Sequence, residues 1–146
     1  MLNASISGET SLGGLTRLPK LLKKYPDIVI IELGANDGLR GLPLPSIKEN
    51  LENMINLSKS NGAKILLLGM RLPPNYGPAY TKGFQDLYKT LAIKYDISVV
   101  PFFLSGVATQ RNLMQEDNLH PTTEAQPLIL ENIWPHLLPL IQEPSR

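Results

Sequence analysis

The chain has 146 residues, a size typical of one domain; with 42% hydrophobic and 18% charged residues it is too apolar for a disordered chain and too polar for a membrane protein. Its 14 basic and 13 acidic residues leave a net charge of +1 without a concentrated basic stretch, which argues against nucleic-acid binding. Because cysteine is absent, disulfides, thiolate–metal sites and cysteine nucleophiles are excluded.

Apolar runs and helical periodicities alternate along the chain. In chain order they predict a strand end at 1–6, a helix at 11–24, a strand at 28–33, a helix from Ser46 to about 60, a strand at 65–68, a helix around Phe84, a strand at 97–102 and a helix at 122–140. The run at 28–33 is typical of a strand covered on both faces. Ser46 and Glu49 have the spacing of a capping box, and Pro127 and Pro135 are expected to break the last helix.

This alternation predicts an α/β fold with a parallel sheet. Ligands bind such sheets at the carboxyl ends of the strands. Three polar segments, at 7–8, 36–37 and 117–120, follow predicted strands and are expected to converge on that rim. Nothing in the sequence indicates a second unit, so we interpret residues 1–146 as one domain.

The strongest candidate for chemistry is Asp117-Asn-Leu-His120-Pro121, in a polar loop before the last helix. An aspartate three residues upstream can accept the Nδ1–H of His120 and leave Nε2 free as a base. A loop histidine or a helix cap would give the same short pattern. A metal site would need a third strong ligand, with only Glu116 or Asp37 on offer, so we predict no metal and no cofactor.

Gly8 and Asn36 are candidate hydrogen-bond donors. Gly8 lets a backbone N–H approach a ligand closely, and the Asn36 side chain is an uncharged donor after a buried strand. A backbone N–H and an asparagine amide together can form an oxyanion hole. A plain turn at Gly8 and an Asx turn at Asn36 are the alternatives.

Taken in order, these motifs resemble those of a known family. Residues 7–10 (SGET), 34–37 (GAND) and 117–121 (DNLHP) are similar to blocks II, III and V of the SGNH hydrolase (GDSL esterase/lipase) superfamily. The likeness is closest to the bacterial thioesterase I/lysophospholipase/arylesterase group and covers essentially the whole chain. Further segments that resemble this group are 3–8, 32–41, 71–77 and 126–127.

The resemblance implies a flavodoxin-like three-layer α/β/α fold and hydrolysis of carboxylic esters or acyl thioesters. It implies His120 as general base, Asp117 as the residue that orients it, and Gly8 and Asn36 as the oxyanion hole. The loop at 71–80 resembles the family's acyl-facing segment, so substrate contacts are expected at Arg71, Pro74 and Tyr76. A proline-stiffened connection is an equally good interpretation of that loop.

The chain departs from the family at the nucleophile. The family's serine lies in a Gly-Asp-Ser motif at the end of the first, central strand, and no such motif occurs here. Ser5, Ser7 and Ser11 do not match it, so no nucleophile is assigned. We therefore expect the first strand to be absent and the chain to be the C-terminal part of a longer enzyme. Activity is expected only if the missing strand is supplied or another chain swaps it in, as in a strand-swapped oligomer.

Two functions from different classes follow. One is an ester or thioester hydrolase acting on small acyl substrates; the alternative is a catalytically inactive remnant or acyl-binding fragment. A nucleotide-binding or receiver domain is weaker, because the phosphate loop and acidic cluster are missing. We expect no membrane span, since no apolar run approaches ~18–20 residues. A longer form with an export signal would be periplasmic or secreted, and a complete chain cytoplasmic.

Overall fold

Three short parallel strands form one sheet in the computed structural model, which describes residues 1–144. They are β1 (Ile28–Ile31), β2 (Lys64–Leu68) and β3 (Ser98–Val100), arranged in space in that order. Ile30 lies opposite Leu66 across the first pair, and Leu67 lies opposite Val99 across the second. The three predicted interior strands are confirmed, although β1 and β3 are shorter than the apolar runs that contain them.

Helices pack on both faces of this sheet, which confirms the α/β class. They are α1 (Ser11–Leu22), α2 (Ala35–Leu39), α3 (Leu44–Ser60), α4 (Pro78–Tyr95) and α5 (Gln126–Gln142). One apolar core joins α1, α3 and α4 to the sheet, with Ile47, Leu51 and Phe84 fully buried. A second core lies under α5, where Leu66 and Val107 are fully buried.

The N-terminal segment is not a strand, which corrects the prediction for residues 1–6. It is irregular and pairs with no strand: the Glu9 N–H donates to the Ile6 carbonyl at 3.3 Å, and the Arg17 side chain of α1 donates through Nη1 to the Ala4 carbonyl at 3.0 Å. An isolated strand has no ladder to stabilise it, and among residues 1–144 β1 pairs only with β2. Its other edge is free.

The extent of α5 across the sheet explains why β1 is not covered on both faces. Ile31 points into the core and is 1% exposed, whereas Ile30 points to the opposite face and is 44% exposed. On the α5 side, cover is complete over Leu66 of β2 but not over its neighbour Ile30. Leu130 and Trp134 of α5 are exposed as well, and with Pro135 they line an apolar groove of about 390 Å³.

The start of α3 corrects the predicted capping box. The helix begins at Leu44, two residues before Ser46, and the N–H groups of Ser46 and Ile47 donate to the Pro43 carbonyl. Pro43 holds the N-cap position, and the missing N–H of Pro45 costs nothing in the first turn. Proline geometry, rather than a serine cap, therefore fixes this helix end.

The prolines of α5 also act differently from the prediction. Pro127 lies in the first turn, and the helix continues through both Pro135 and Pro139 to Gln142. Packing of Ile129 and its neighbours against the sheet holds the helix together across these positions. Among the described residues, no helix combines the length and the apolar character needed to cross a membrane.

Candidate active site

The loop that carries His120 is closed at its base. Met114 and Pro121 form an antiparallel bridge, and the Gln115 N–H donates to the His120 carbonyl at 2.8 Å. Asn118 at the tip adopts a positive φ of 53°, a conformation that asparagine tolerates better than most residues. This tight loop returns the chain on itself and brings the histidine back to the aspartate three residues before it.

His120 and Asp117 form the imidazole–carboxylate pair that the sequence predicts. Nδ1 of the ring lies 2.7 Å from Oδ2 of Asp117, and the backbone N–H groups of Leu119 and His120 donate to Oδ1 at 2.9 and 3.0 Å. An ionised carboxylate only accepts, so Nδ1 carries the proton in this contact. In the neutral ring Nε2 then keeps its lone pair, and the His120 side chain is 61% exposed.

These bonds hold Asp117 in its charged form. The hydrogen bond from His120, followed by the two backbone N–H groups, lowers the pKa of Asp117 to about 2. The carboxylate is therefore ionised throughout the pH range in which a histidine titrates. Asp117 can orient the ring and balance its positive charge without taking up the proton itself.

Asn36 lies against the turn at Gly8 and Glu9, in the other part of the candidate site. Asn36 lies in α2, just after β1, and its Nδ2 donates to the Glu9 carbonyl at 2.9 Å. One of the two amide hydrogens is used in this bond, and the other has no acceptor among residues 1–144. Gly8 has a φ of +74°, and its N–H makes no hydrogen bond within the described part of the chain.

The conformation of Gly8, rather than lack of space, requires glycine. A Cβ added at this position would meet no atom within 4 Å. A left-handed backbone costs other residues roughly 1–2 kcal/mol, so glycine makes this turn inexpensive. Glu9 fixes the turn further, because its carboxylate accepts from Arg17 Nε at 2.8 Å.

The structure thus brings the predicted residues together as two pairs. Asn36 lies against the Gly8–Glu9 turn, and Asp117 lies against His120. No hydrogen bond between residues 1–144 joins one pair to the other, so their meeting around one carbonyl stays a prediction. No set of three or more histidine, aspartate or glutamate side chains within 1–144 is arranged to hold a metal ion.

The loop at 71–80 is anchored at several points. Arg71 lies over the Phe102 ring with its guanidinium carbon 4.8 Å from the ring centroid, and the Tyr76 hydroxyl donates to the Leu39 carbonyl at 2.8 Å. The loop borders a groove of about 570 Å³ whose lining includes Arg71 and Pro74. The Tyr76 hydroxyl holds the loop to the end of α2, so this hydroxyl has a structural role.

A buried cluster beside the site is not predicted from the sequence. Ser11 and Asp37 are 0% and 1% exposed, and Asp37 accepts bonds from both the N–H and the hydroxyl of Ser11 at 2.8 and 2.6 Å. Asn50 Nδ2 donates to the same hydroxyl at 2.9 Å. The Ser11 hydroxyl is therefore buried and hydrogen-bonded to Asp37 and Asn50. A nucleophile has to be accessible to the substrate, so Ser11 does not suit that role. The available signal in the sequence is the aspartate directly after Asn36.

The chain is similar to known esterases in both sequence and fold. A model of the GDSL-like Lipase/Acylhydrolase family matches residues 1–127. The chain is 51% identical over 142 residues to Esterase TesA of Pseudomonas aeruginosa, covering 97% of this chain and 71% of that protein. It is 42% identical over 146 residues to thioesterase 1/protease 1/lysophospholipase L1 of Escherichia coli, covering 99% and 70% respectively. A crystal structure of TesA superposes with a TM-score of 0.92 at 51% identity, over 95% of this chain and 78% of that one.

A small parallel sheet between helices, with motif residues after its strands, is the arrangement of the SGNH class of α/β hydrolases. The chain belongs to the GDSL-like lipase/acylhydrolase family. The resemblance inferred from the motifs is confirmed. The names of the relatives, which include esterase, thioesterase and lysophospholipase, support hydrolysis of ester bonds as the chemistry of this fold.

Proposed function

We propose that this domain provides the proton-transfer and oxyanion-binding groups for hydrolysis of carboxylic esters and acyl thioesters. The observation that carries the proposal is the 2.7 Å contact between His120 Nδ1 and Asp117 Oδ2, with Nε2 left free on an exposed ring. Asp117 orients the ring, and His120 is the general base. The Gly8 N–H and the free Asn36 amide hydrogen are the proposed oxyanion donors.

The chemistry follows the usual order for acyl transfer. A hydroxyl oxygen attacks the carbonyl carbon while its proton moves to Nε2 of His120. The carbonyl oxygen becomes negative and is stabilised by the donors at Gly8 and Asn36; each such donor typically contributes ~3–4 kcal/mol in the transition state. The protonated ring then gives its proton to the departing alkoxide or thiolate. A water molecule repeats the cycle and releases the acid.

The nucleophilic hydroxyl is the open part of this proposal. Ser11 is buried and bonded to Asp37, and the exposed Ser5 and Ser7 match no nucleophile motif. Pairing along the free edge of β1 would let a further strand, contributed by a second copy, bring a hydroxyl towards the rim at the carboxyl ends of the strands. Without a serine, direct attack by water keeps only part of the catalytic effect.

The loop at 71–80 is the proposed acyl-facing segment. Its groove of about 570 Å³ is large enough for a short acyl chain, and Arg71 and Pro74 lie on its wall. Tyr76 would contribute through its ring, because its hydroxyl is bonded to Leu39. Small-molecule esters are accordingly the substrate class that we propose.

A second candidate is a domain that binds acyl groups without hydrolysing them. The observation that favours it is the state of Ser11, the one buried serine beside the oxyanion donors, whose hydroxyl is bonded to Asp37 and Asn50. In that case the donors at Gly8 and Asn36 would hold a carboxylate or carbonyl oxygen, and the imidazole would have no hydroxyl to deprotonate.

Hydrolysis of p-nitrophenyl butyrate by the purified chain tests the proposal. We expect His120→Ala to lower the rate by about 10²–10⁴-fold, the usual contribution of a general base. His136→Ala is the matched control, because the other histidine lies on α5 outside the site and its removal leaves the rate unchanged. Equal rates for His120→Ala and the wild type would refute the proposal. A folded wild type with no activity above buffer, and no labelling by a fluorophosphonate, would support the acyl-binding alternative.

A further inference from the structure

Asp37 is a buried charge that the proposed reaction does not use. It is 1% exposed, and both carboxylate oxygens accept from one residue: Oδ2 from the Ser11 N–H at 2.8 Å and Oδ1 from the Ser11 hydroxyl at 2.6 Å. Replacing a buried ionic group by well-packed apolar side chains is often neutral or stabilising. A charge kept at this depth therefore calls for an explanation other than stability alone.

The positions of these two residues connect the two oxyanion donors. Ser11 is the first residue of α1, three residues after Gly8, and Asp37 directly follows Asn36 in α2. A third bond, from Asn36 Nδ2 to the Glu9 carbonyl at 2.9 Å, links the same two chain segments as the two bonds that Asp37 accepts. Three hydrogen bonds thus join a span of three residues, 9–11, to two adjacent residues, 36–37.

A third residue determines the direction in which the Ser11 hydroxyl donates. Asn50 of α3 donates to the Ser11 oxygen at 2.9 Å, so the Ser11 hydrogen is directed to Asp37. The carboxylate also faces the N-terminal turn of α1, where the helix dipole favours a negative charge. Thr10 caps the same turn by accepting from the Gly13 N–H at 3.2 Å.

We propose that Asp37 is a positioning residue that, through Ser11, fixes the Gly8 turn relative to the Asn36 amide. This positioning role rests on the proposed function only in treating the Gly8 N–H and the Asn36 amide as donors to one oxyanion. An oxyanion hole works when its donors are held in place before the reaction, so a rigid link between two separate chain segments is what such a site needs. The clamp formed by Asp37, Ser11 and Asn50 is that link.

The test is an NMR comparison of ¹⁵N-labelled full chains, which requires no turnover. In the wild type we expect nuclear Overhauser contacts between the Asn36 side-chain amide and Glu9, together with slow exchange of the Ser11 N–H. Asp37→Ala removes both acceptors; we expect loss of the contacts and exchange at least about tenfold faster. Asp37→Asn keeps an acceptor for the Ser11 N–H but sets an amide donor against the Ser11 hydroxyl, which can then only accept from it. We therefore expect it to keep the contacts in part, with Ser11 N–H exchange slower than in Asp37→Ala.

Ser58→Ala is the matched control, because Ser58 is also fully buried but its hydroxyl has no partner in the described part of the chain; the substitution should leave these signals unchanged. If Asp37→Ala lowers the melting temperature yet leaves the Asn36–Glu9 contacts in place, Asp37 is merely structural and the proposal is overturned. Should Asp37→Ala not fold, Ser11→Ala carries the test: weakened contacts support the clamp, and unchanged contacts overturn it. An inactive wild type would count against the proposed hydrolysis alone, because none of these signals depends on activity.

Discussion

Ser11→Ala is the substitution whose effect on stability the structure defines best. It removes one hydroxyl from a fully buried position and leaves the backbone bond from Ser11 to Asp37 in place. The lost bond, at 2.6 Å, is the one in which the hydroxyl donates to a carboxylate. Asn50 also loses the acceptor of its Nδ2 donor.

The expected cost follows from the partners left behind. A hydrogen bond to a charged group contributes about 1.5–3 kcal/mol, and a buried carboxylate oxygen without its donor keeps its full desolvation penalty. We therefore expect Ser11→Ala to lower the free energy of unfolding by about 1.5–3 kcal/mol. Ser58→Ala removes a hydroxyl that is equally buried but unpaired, so it should be neutral or stabilising by up to about 1 kcal/mol.

Urea denaturation followed by far-UV circular dichroism measures both changes. Equal slopes for the two variants and the wild type would show that the midpoints report stability. The reasoning is refuted if Ser11→Ala unfolds at the wild-type midpoint, or if Ser58→Ala is destabilised as much as Ser11→Ala. The first result would mean that the bond to the carboxylate contributes no net stability. The second would mean that burial of the serine, rather than its bond to the carboxylate, sets the free energy.

Three further predictions concern the core and the histidine loop. Gly34→Ala should destabilise the fold by more than about 1–2 kcal/mol, measured by urea denaturation, because φ is +108° and the added Cβ would lie 2.5 Å from the Tyr88 hydroxyl. Phe84→Ala should cost about 3–5 kcal/mol in the same assay, since the ring is fully buried and packs edge-on against Tyr88 with the centroids 5.5 Å apart. His120→Ala should raise the pKa of Asp117 from about 2 towards 3.8, measured by ¹³C NMR titration of the carboxyl group. Because the pKa is lowered, the contact between Asp117 and His120 should be complete above pH 4 and be lost as the pH falls through 2. An unchanged titration midpoint of Asp117 in His120→Ala would show that the imidazole does not hold the carboxylate in its charged form.

The elements predicted well from the sequence are those fixed by local pattern. Phe84, Leu87, Tyr88 and Leu91 are all buried along α4, as their helical spacing indicates. The Asp117–His120 contact spans three residues, so one turn of chain suffices to form it. In each case the physical cause lies within the segment itself.

The features that the sequence did not predict depend on distant neighbours. Ser11 and Asp37 are 26 residues apart, and Ser11 and Asn50 are 39 apart, so no local pattern brings them together. Residues 1–6 have strand-like composition, but a strand exists only where another strand pairs with it. Ile30 has the character of a core residue, yet its exposure depends on how far α5 extends across the sheet. Burial and pairing of this kind are properties of the assembled layers.

Two of the three strands formed by residues 1–144 are edges, and β2 alone among them has a partner on each side. The outward-facing amides and carbonyls of β1 therefore have no strand to pair with. They lie next to the exposed apolar side chain of Ile30. The ladder alone would hold so small a sheet weakly, and side-chain packing against the helices has to supply its cohesion. Another chain could therefore pair along either edge strand, β1 or β3, and leave the interior undisturbed.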